Sequence, residues 1–271
     1  MTATASSRTT ARTPARTPAP LSLRLTAATA GRVLRQLAHD HRTVAMLLVL
    51  PSALLGLLYL IWRDVPVPPG QPGPFDRVGL TMLGVLPFVV MFLVTSIAML
   101  RERTSGTLER LLTTPLARPD LLLGYGFAFG LAAALQALVT VTVATTVYHL
   151  DVAGPAALLV LIAVVDAVLG VALGLLASAF ARSEFQAVQF MPVVVLPQFF
   201  LCGLLVARDQ LPGWLQAVSD VLPLTYAVEA LQEVGTSPEP TGTMWVDVGV
   251  VAGAALLALG LAAGTLRRRT N

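Results

Sequence analysis

Lysine is absent from this chain of 271 residues, and all eighteen basic side chains are arginines. A Walker A loop sets a lysine on the nucleotide phosphates. The chain therefore has no ordinary P-loop, and if ATP drives it another polypeptide must bind the ATP. Cysteine is nearly absent too: the lone Cys202 excludes an internal disulfide framework and any cysteine metal cluster. His39 and His41 stand two apart, poor spacing for a helical metal pair, and His149 stands alone. No His-Glu-x-x-His or Gly-x-Ser-x-Gly motif occurs, and no carboxylate cluster lies within an apolar run, which argues against an intramembrane enzyme. Charge is scarce as well, at 12% of residues against about 25% in a soluble domain.

What remains is apolar. Hydrophobic residues make up 55% of the chain and mean hydropathy is +0.76, the composition of an integral membrane protein. Six apolar runs, each near the ~20 residues that cross a bilayer, fall at residues 44–62, 78–100, 121–148, 155–180, 187–206 and 245–266. The expected fold is an all-α membrane protein with six transmembrane helices in a domain over 44–266. Residues 1–20, rich in Ser, Thr, Ala, Pro and Arg, read as a disordered basic tail without the apolar core of a secretory signal. Residues 267–271 form a second basic tail.

Residues 21–43 read as an amphipathic helix. At about 100° per residue, Arg24, Arg35 and Arg42 share a narrow sector with Arg32 nearby, and Val33, Leu34 and Leu37 lie roughly opposite. Such a helix is expected in the headgroup plane, arginines toward anionic lipid. With both termini inside, fifteen of the eighteen arginines fall in cytoplasmic segments, leaving Arg63, Arg77 and Arg208 outside. That asymmetry sets the expected orientation under the positive-inside rule. The basic pI of about 9.6 follows from topology and does not suggest nucleic acid. On the outer face, residues 211–234 carry helical apolar spacing interrupted by Pro223, so two short amphipathic helices are expected before the last span, with Trp214 and Tyr226 at headgroup depth.

Polar residues inside the spans are costly and need protein or water contact. Asp166 lies mid-span and heads a four-residue repeat, Asp166, Gly170, Gly174 and Ser178, suited to close helix packing. It serves either as a hydrogen-bonding group between spans or as a relay or substrate contact. Gln189, Pro192, Pro197 and Gln198 in the fifth span, and Thr81, Pro87, Thr95 and Ser96 in the second, are candidates to line a transport pathway.

The segment that organises the chain is 101–120, a charged, Gly- and Pro-punctuated loop between the second and third runs. It carries Arg101, Arg103, Arg110 and Arg118 with Glu102, Glu109 and Asp120. Leu108, Leu111 and Leu112 fall on one side of a short helix beside Glu109, a shape suited to docking on a protein.

Three stretches resemble the permease subunits of type-2 ATP-binding-cassette exporters, drug and antibiotic exporters included. They are RERTSGTLERLLTTPLARPDLLLG at 101–124, ARSEFQAVQFMP at 181–192 and LPGWLQAVSDVLPLTYAVEAL at 211–231. The resemblance covers about residue 21 onward and implies a half-transporter in a bacterial-type plasma membrane, paired with a second copy or a sister permease. Two separate ATPase subunits would hold the ATP and magnesium, and this chain would bind no cofactor itself. Carried over, Glu102, Gly106, Thr107, Leu108 and Glu109 lie in an ATPase-coupling loop, and Arg182, Ser183 and Glu184 in a shorter second contact. The implied cargo is a hydrophobic or amphipathic small molecule. Alternatives are a lipid-linked polysaccharide exporter of the same fold, against which the 6% aromatic content argues mildly, and a membrane scaffold without transport.

Overall fold

The structure, a computed structural model, describes residues 22–68, 72–105 and 118–265. Among the described residues every regular element is a helix. The first amphipathic stretch ends where Asp40 breaks it: α1 spans Leu23–His39 and α2 spans His41–Trp62. Asp40 caps the start of α2, its two oxygens accepting from the Thr43 backbone N–H at 3.2 Å and from the Thr43 hydroxyl at 2.6 Å. These bonds favour the carboxylate, and the Thr43 hydroxyl is the main cause of an Asp40 pKa below the usual carboxylate range.

α3 (Pro74–Thr104) starts on Pro74, whose missing N–H costs nothing in a first turn, and Asp76 accepts from the Gly73 N–H at 2.9 Å. At 31 residues it is about 46 Å long, well beyond the ~30 Å hydrocarbon core, so its end carrying Arg101 and Glu102 projects past the apolar layer. α4 (Arg118–Thr146), α5 (Ala156–Ala177) and α6 (Glu184–Leu201) follow, then a short 3-10 turn, Arg208–Gln210. α7 (Gly213–Ser219), α8 (Pro223–Thr236) and α9 (Gly242–Thr265) complete the described chain. Six of these helices, α2, α3, α4, α5, α6 and α9, are long and apolar enough to cross a membrane. The fifth run stops short of its apolar end: α6 finishes at Leu201, and Gly203 takes a left-handed backbone, φ +89°, that L-residues rarely adopt.

The centre of the bundle is the α3–α5 pair, the most extensive helix contact in the chain. Its closeness comes from Gly170, where an added Cβ would sit 2.4 Å from the Phe88 carbonyl oxygen. α4 and α9 pack on α5, and α1 packs on α4. α8 is not a surface helix on its apolar side: Leu224, Ala227, Val228 and Leu231 are fully buried, against α3, α5 and α9. α7 differs, leaving Trp214 and Val218 exposed. α6 packs chiefly on α3 and buries the least of any span.

Candidate functional site

The end of the bundle that carries the two stems of the 101–120 loop is tied together through α1. The outgoing stem offers Glu102 at the tip of α3. The returning stem offers Asp120 and Tyr125 at the start of α4. Arg32 of α1 reaches both: Nη1 donates to Glu102 Oε1 at 3.0 Å and Nη2 donates to the Tyr125 hydroxyl at 2.8 Å. Its guanidinium also lies 5.7 Å from the Tyr125 ring centroid, within cation–π range. Burial alone would depress the Arg32 pKa, but Tyr125 and Glu102 outweigh it and hold the guanidinium above its ordinary value. One turn and a half earlier, Asp120 Oδ1 accepts from the Ser22 N–H at 2.7 Å and from the Thr26 hydroxyl at 3.3 Å.

Close approach of α1 to α4 requires Gly124. A Cβ there would lie 2.6 Å from Thr29 Cβ and 3.0 Å from the Thr26 carbonyl oxygen. Thr26, Thr29 and Val33 are buried on this contact, whereas Arg24 and Arg35 point away and are exposed. The four arginines of this segment are therefore not equivalent: Arg32, about 80° around the helix from Arg24, turns in toward the bundle.

The second loop sits beside the first. Arg101 Nε and Nη2 donate to the two carboxylate oxygens of Glu184 at 2.8 and 3.0 Å, joining the tip of α3 to the start of α6. Both partners are exposed, so this fork contributes little stability, about 0–1 kcal/mol. Ser183 caps α6 by accepting from the Gln186 N–H at 3.2 Å, and the Arg182 N–H donates to Gln186 Oε1 at 2.9 Å. The Arg182 side chain is exposed. Gly106, Thr107, Leu108, Glu109, Leu111 and Leu112 lie outside the described residues.

The candidate pathway residues do not converge within one chain. Thr95 is fully buried between α3 and α5, its Cβ 3.2 Å from where a Gly174 side chain would begin. Asp166 is fully buried on the same helix pair, facing Gly84. Neither carboxylate oxygen of Asp166 has a hydrogen-bond partner among the described residues. Gln198 has a local task, for its Oε1 accepts the Leu224 N–H at 3.3 Å and its Nε2 donates to the Val194 carbonyl at 3.0 Å. It thereby satisfies an orphan donor in the first turn of α8. Gln189 and Pro192 face outward from α6.

At the far end, Arg208 donates to both Glu229 oxygens at 2.7 and 2.8 Å, pairs with Asp220, and lies 5.4 Å from the Tyr226 ring centroid. Glu229 first, then Asp220, raise its pKa above the ordinary arginine value. Tyr226 is thus part of an ion cluster, its hydroxyl donating to the Asp220 carbonyl at 2.7 Å, while Trp214 is 71% exposed.

Sequence reasoning assigned no role to Asp40, Tyr125 or Gly124. Only the glycine carried a local signal, as a small residue one turn into an apolar helix.

Six apolar crossings, with polar stems gathered at one end, define a multi-pass membrane protein built around a loop. The ABC-2 type transporter family matches residues 24–234, most of the chain, and the chain belongs to that family. It is similar to the probable multidrug ABC transporter permease YbhS of Escherichia coli (strain K12), 29% identical over 192 residues, 69% of this chain and 50% of that protein. The probable multidrug ABC transporter permease YbhR of the same strain is 24% identical over 165 residues, 61% of this chain and 45% of that protein. ABC transporter G family member 20 of Dictyostelium discoideum is 27% identical over 153 residues, 56% of this chain and 21% of that protein. The chain spans half the length or less of these curated relatives.

Proposed function

We propose that this chain is the membrane-spanning subunit of an ATP-driven exporter of hydrophobic or amphipathic small molecules. The word "multidrug" in the names of two relatives supports the cargo class. The absence of lysine supports placing ATP and magnesium in a separate ATPase. In this reading the 101–120 loop and both termini are cytoplasmic, as the arginine distribution favours, and the membrane is a bacterial-type plasma membrane. A second permease copy or a sister permease completes the membrane unit. α1 lies in the headgroup plane with Arg24 and Arg35 toward lipid, and α7 and α8 lie on the outer side.

The observation that carries the reading is that both stems of the loop hold α1. Leu108, Leu111 and Leu112 would seat in a groove of the ATPase, and Glu109 would meet basic residues there. Motion of that loop would pull on Glu102 and Asp120 together. Arg32, Ser22 and Thr26 would pass it to α1, and the Asp40 elbow would pass it to α2. Glu184, forked to Arg101, would bring α6 into the same motion. Such an arrangement converts a docking event into displacement of two spans.

The test is a double substitution, Leu108→Asp with Glu109→Arg, in the chain co-purified with its ATPase. Substrate-stimulated ATP hydrolysis and transport into proteoliposomes should both be lost while the purified complex keeps its thermal stability. Full stimulation and transport in that variant would sink the coupling assignment.

A further inference from the structure

α6 is the least apolar of the six spans and also the least buried. A span that faces lipid has the opposite character, because an exposed polar group finds no water to bond in hydrocarbon. The outward stripe of α6 runs through Val188, Gln189, Pro192, Val193, Leu196 and Phe200, all exposed, at the three- and four-residue spacing of one helix face. Gln189 stands about 8 Å in from Glu184 along the axis, and no group among the described residues answers its amide. The prolines add to the polarity. Pro192 and Pro197 lack the N–H that would serve the carbonyls of Val188 and Val193, four positions earlier, and both valines lie on this stripe.

The other peripheral spans turn a different surface outward. α2 exposes Leu54 and Leu57, α4 exposes Phe127 and Leu131, and α9 exposes Leu256 and Leu257. Their polar side chains at depth, Gln136 of α4 and Asp247 of α9, are buried. Among the described residues, Gln189 is the one amide or ionisable side chain exposed away from the ends of a span. A primary amide carries both donors and an acceptor, so a second copy of itself satisfies it. A two-fold axis along the membrane normal sets a residue opposite its own counterpart and forms both bonds at once. The stripe also borders an open cavity of about 660 Å³ between α1, α2 and α3, where Val188 forms part of the lining. A helix seated on the stripe would cover that border.

We propose that a second copy of this chain docks on this stripe, α6 against α6, with the two Gln189 amides paired across the axis. The proposal rests on the reading of the chain as one of two permease subunits, and it chooses both the face and the partner.

The test uses the full chain in phosphatidylcholine liposomes at graded lipid-to-protein ratios, without nucleotide or ATPase. Energy transfer between donor- and acceptor-labelled chains should report a reversible dimer. In a Cys202→Ala background, a short bis-maleimide should join Val193→Cys to its counterpart and should not join Leu257→Cys on α9. Gln189→Leu should weaken the dimer about tenfold, the size of a pair of interhelical hydrogen bonds, and Gln189→Asn should recover part of that loss. In phosphatidylcholine nanodiscs that hold one chain each, Gln189→Leu should melt as the wild type does, since the amide makes no bond within the described chain. No energy transfer at any ratio would leave the face to lipid or a sister permease and overturn the proposal. Cross-linking through α9 alone, undiminished pairing of Gln189→Leu, or a lowered melt of that variant in single-chain nanodiscs would overturn it too. These outcomes are separate from the coupling test: a dimer joined through α9 that still stimulates its ATPase would refute this face and keep the exporter reading.

Discussion

Replacing Arg32 with leucine removes a side chain that joins α1 to both loop stems. The loss has three parts: a charge-assisted bond to Glu102 at 3.0 Å, a bond to the Tyr125 hydroxyl at 2.8 Å and a cation–π contact at 5.7 Å. The Arg32 and Glu102 side chains are 27% and 14% exposed. That places the pair between an exposed bridge, worth about 0–1 kcal/mol, and a fully buried one, whose breakage costs about 3–5 kcal/mol. A loss of about 2–3 kcal/mol in the docking of α1 follows, part of it the stranded Glu102 carboxylate. At 1.4 kcal/mol per tenfold, amides of α1 should exchange hydrogen about 30- to 150-fold faster. Hydrogen–deuterium exchange on the nanodisc protein reads this directly, with α5 as the internal control. Adding Glu102→Leu should recover part of the loss, since the stranded charge is then gone. Arg32→Lys should recover little, because an ammonium lacks the planar fork that serves two acceptors at once. Wild-type exchange across Thr26–Val33 in Arg32→Leu would refute the idea that this side chain holds α1 down.

Gly170→Ala should disrupt the centre of the bundle, since its Cβ would meet a backbone oxygen at 2.4 Å that cannot swing aside. A cost of about 1–3 kcal/mol should appear as a lower melting temperature in detergent, and an unchanged melt would contradict the α3–α5 packing. Gln198→Leu should uncap α8 at a cost of about 1 kcal/mol, seen as faster exchange at the Leu224 amide with α3 unaffected. Asp166→Asn should preserve expression, melting and transport if Asp166 is a packing residue of the α3–α5 contact. Normal expression with abolished transport would make it part of the pathway.

The six spans were legible because crossing a bilayer imposes length and apolarity on every residue of a run, and no tertiary context is needed to see them. Ends were less legible. The break at Asp40 depends on one carboxylate capping forward onto Thr43, a bond that an apolar count cannot register. The early end of α6 at Leu201 falls within an apolar stretch that still reads as span. Periodicity correctly grouped Arg24 and Arg35 on one face. It could not tell that Arg32, at the margin of that face, has partners seventy and ninety-three positions away. Gln198 was singled out as a polar residue in an apolar helix, yet its occupation as a cap for α8 depends on a chain reversal that only the fold discloses. The buried face of α8 was visible as a 3.6-residue stripe, but whether that stripe met lipid or protein was not.

The weak attachment of α6 has a mechanical meaning. α1, α4, α5 and α3 form an uninterrupted series of close contacts, locked where backbone touches backbone at Gly170, and behave as a keel. α6 is fastened to that keel like a loose stave: chiefly by packing on α3, by the exposed Arg101–Glu184 fork at one end and by the Gln198 cap near the other. Swinging the stave breaks few bonds and exposes no large core, whereas shifting any helix of the keel would unmake its neighbours. If the bundle opens, the least costly hinge runs along α6, and the polar fasteners at its ends, the Ser219 hydroxyl on the Leu201 carbonyl at 2.9 Å among them, mark where the rotation would begin and stop.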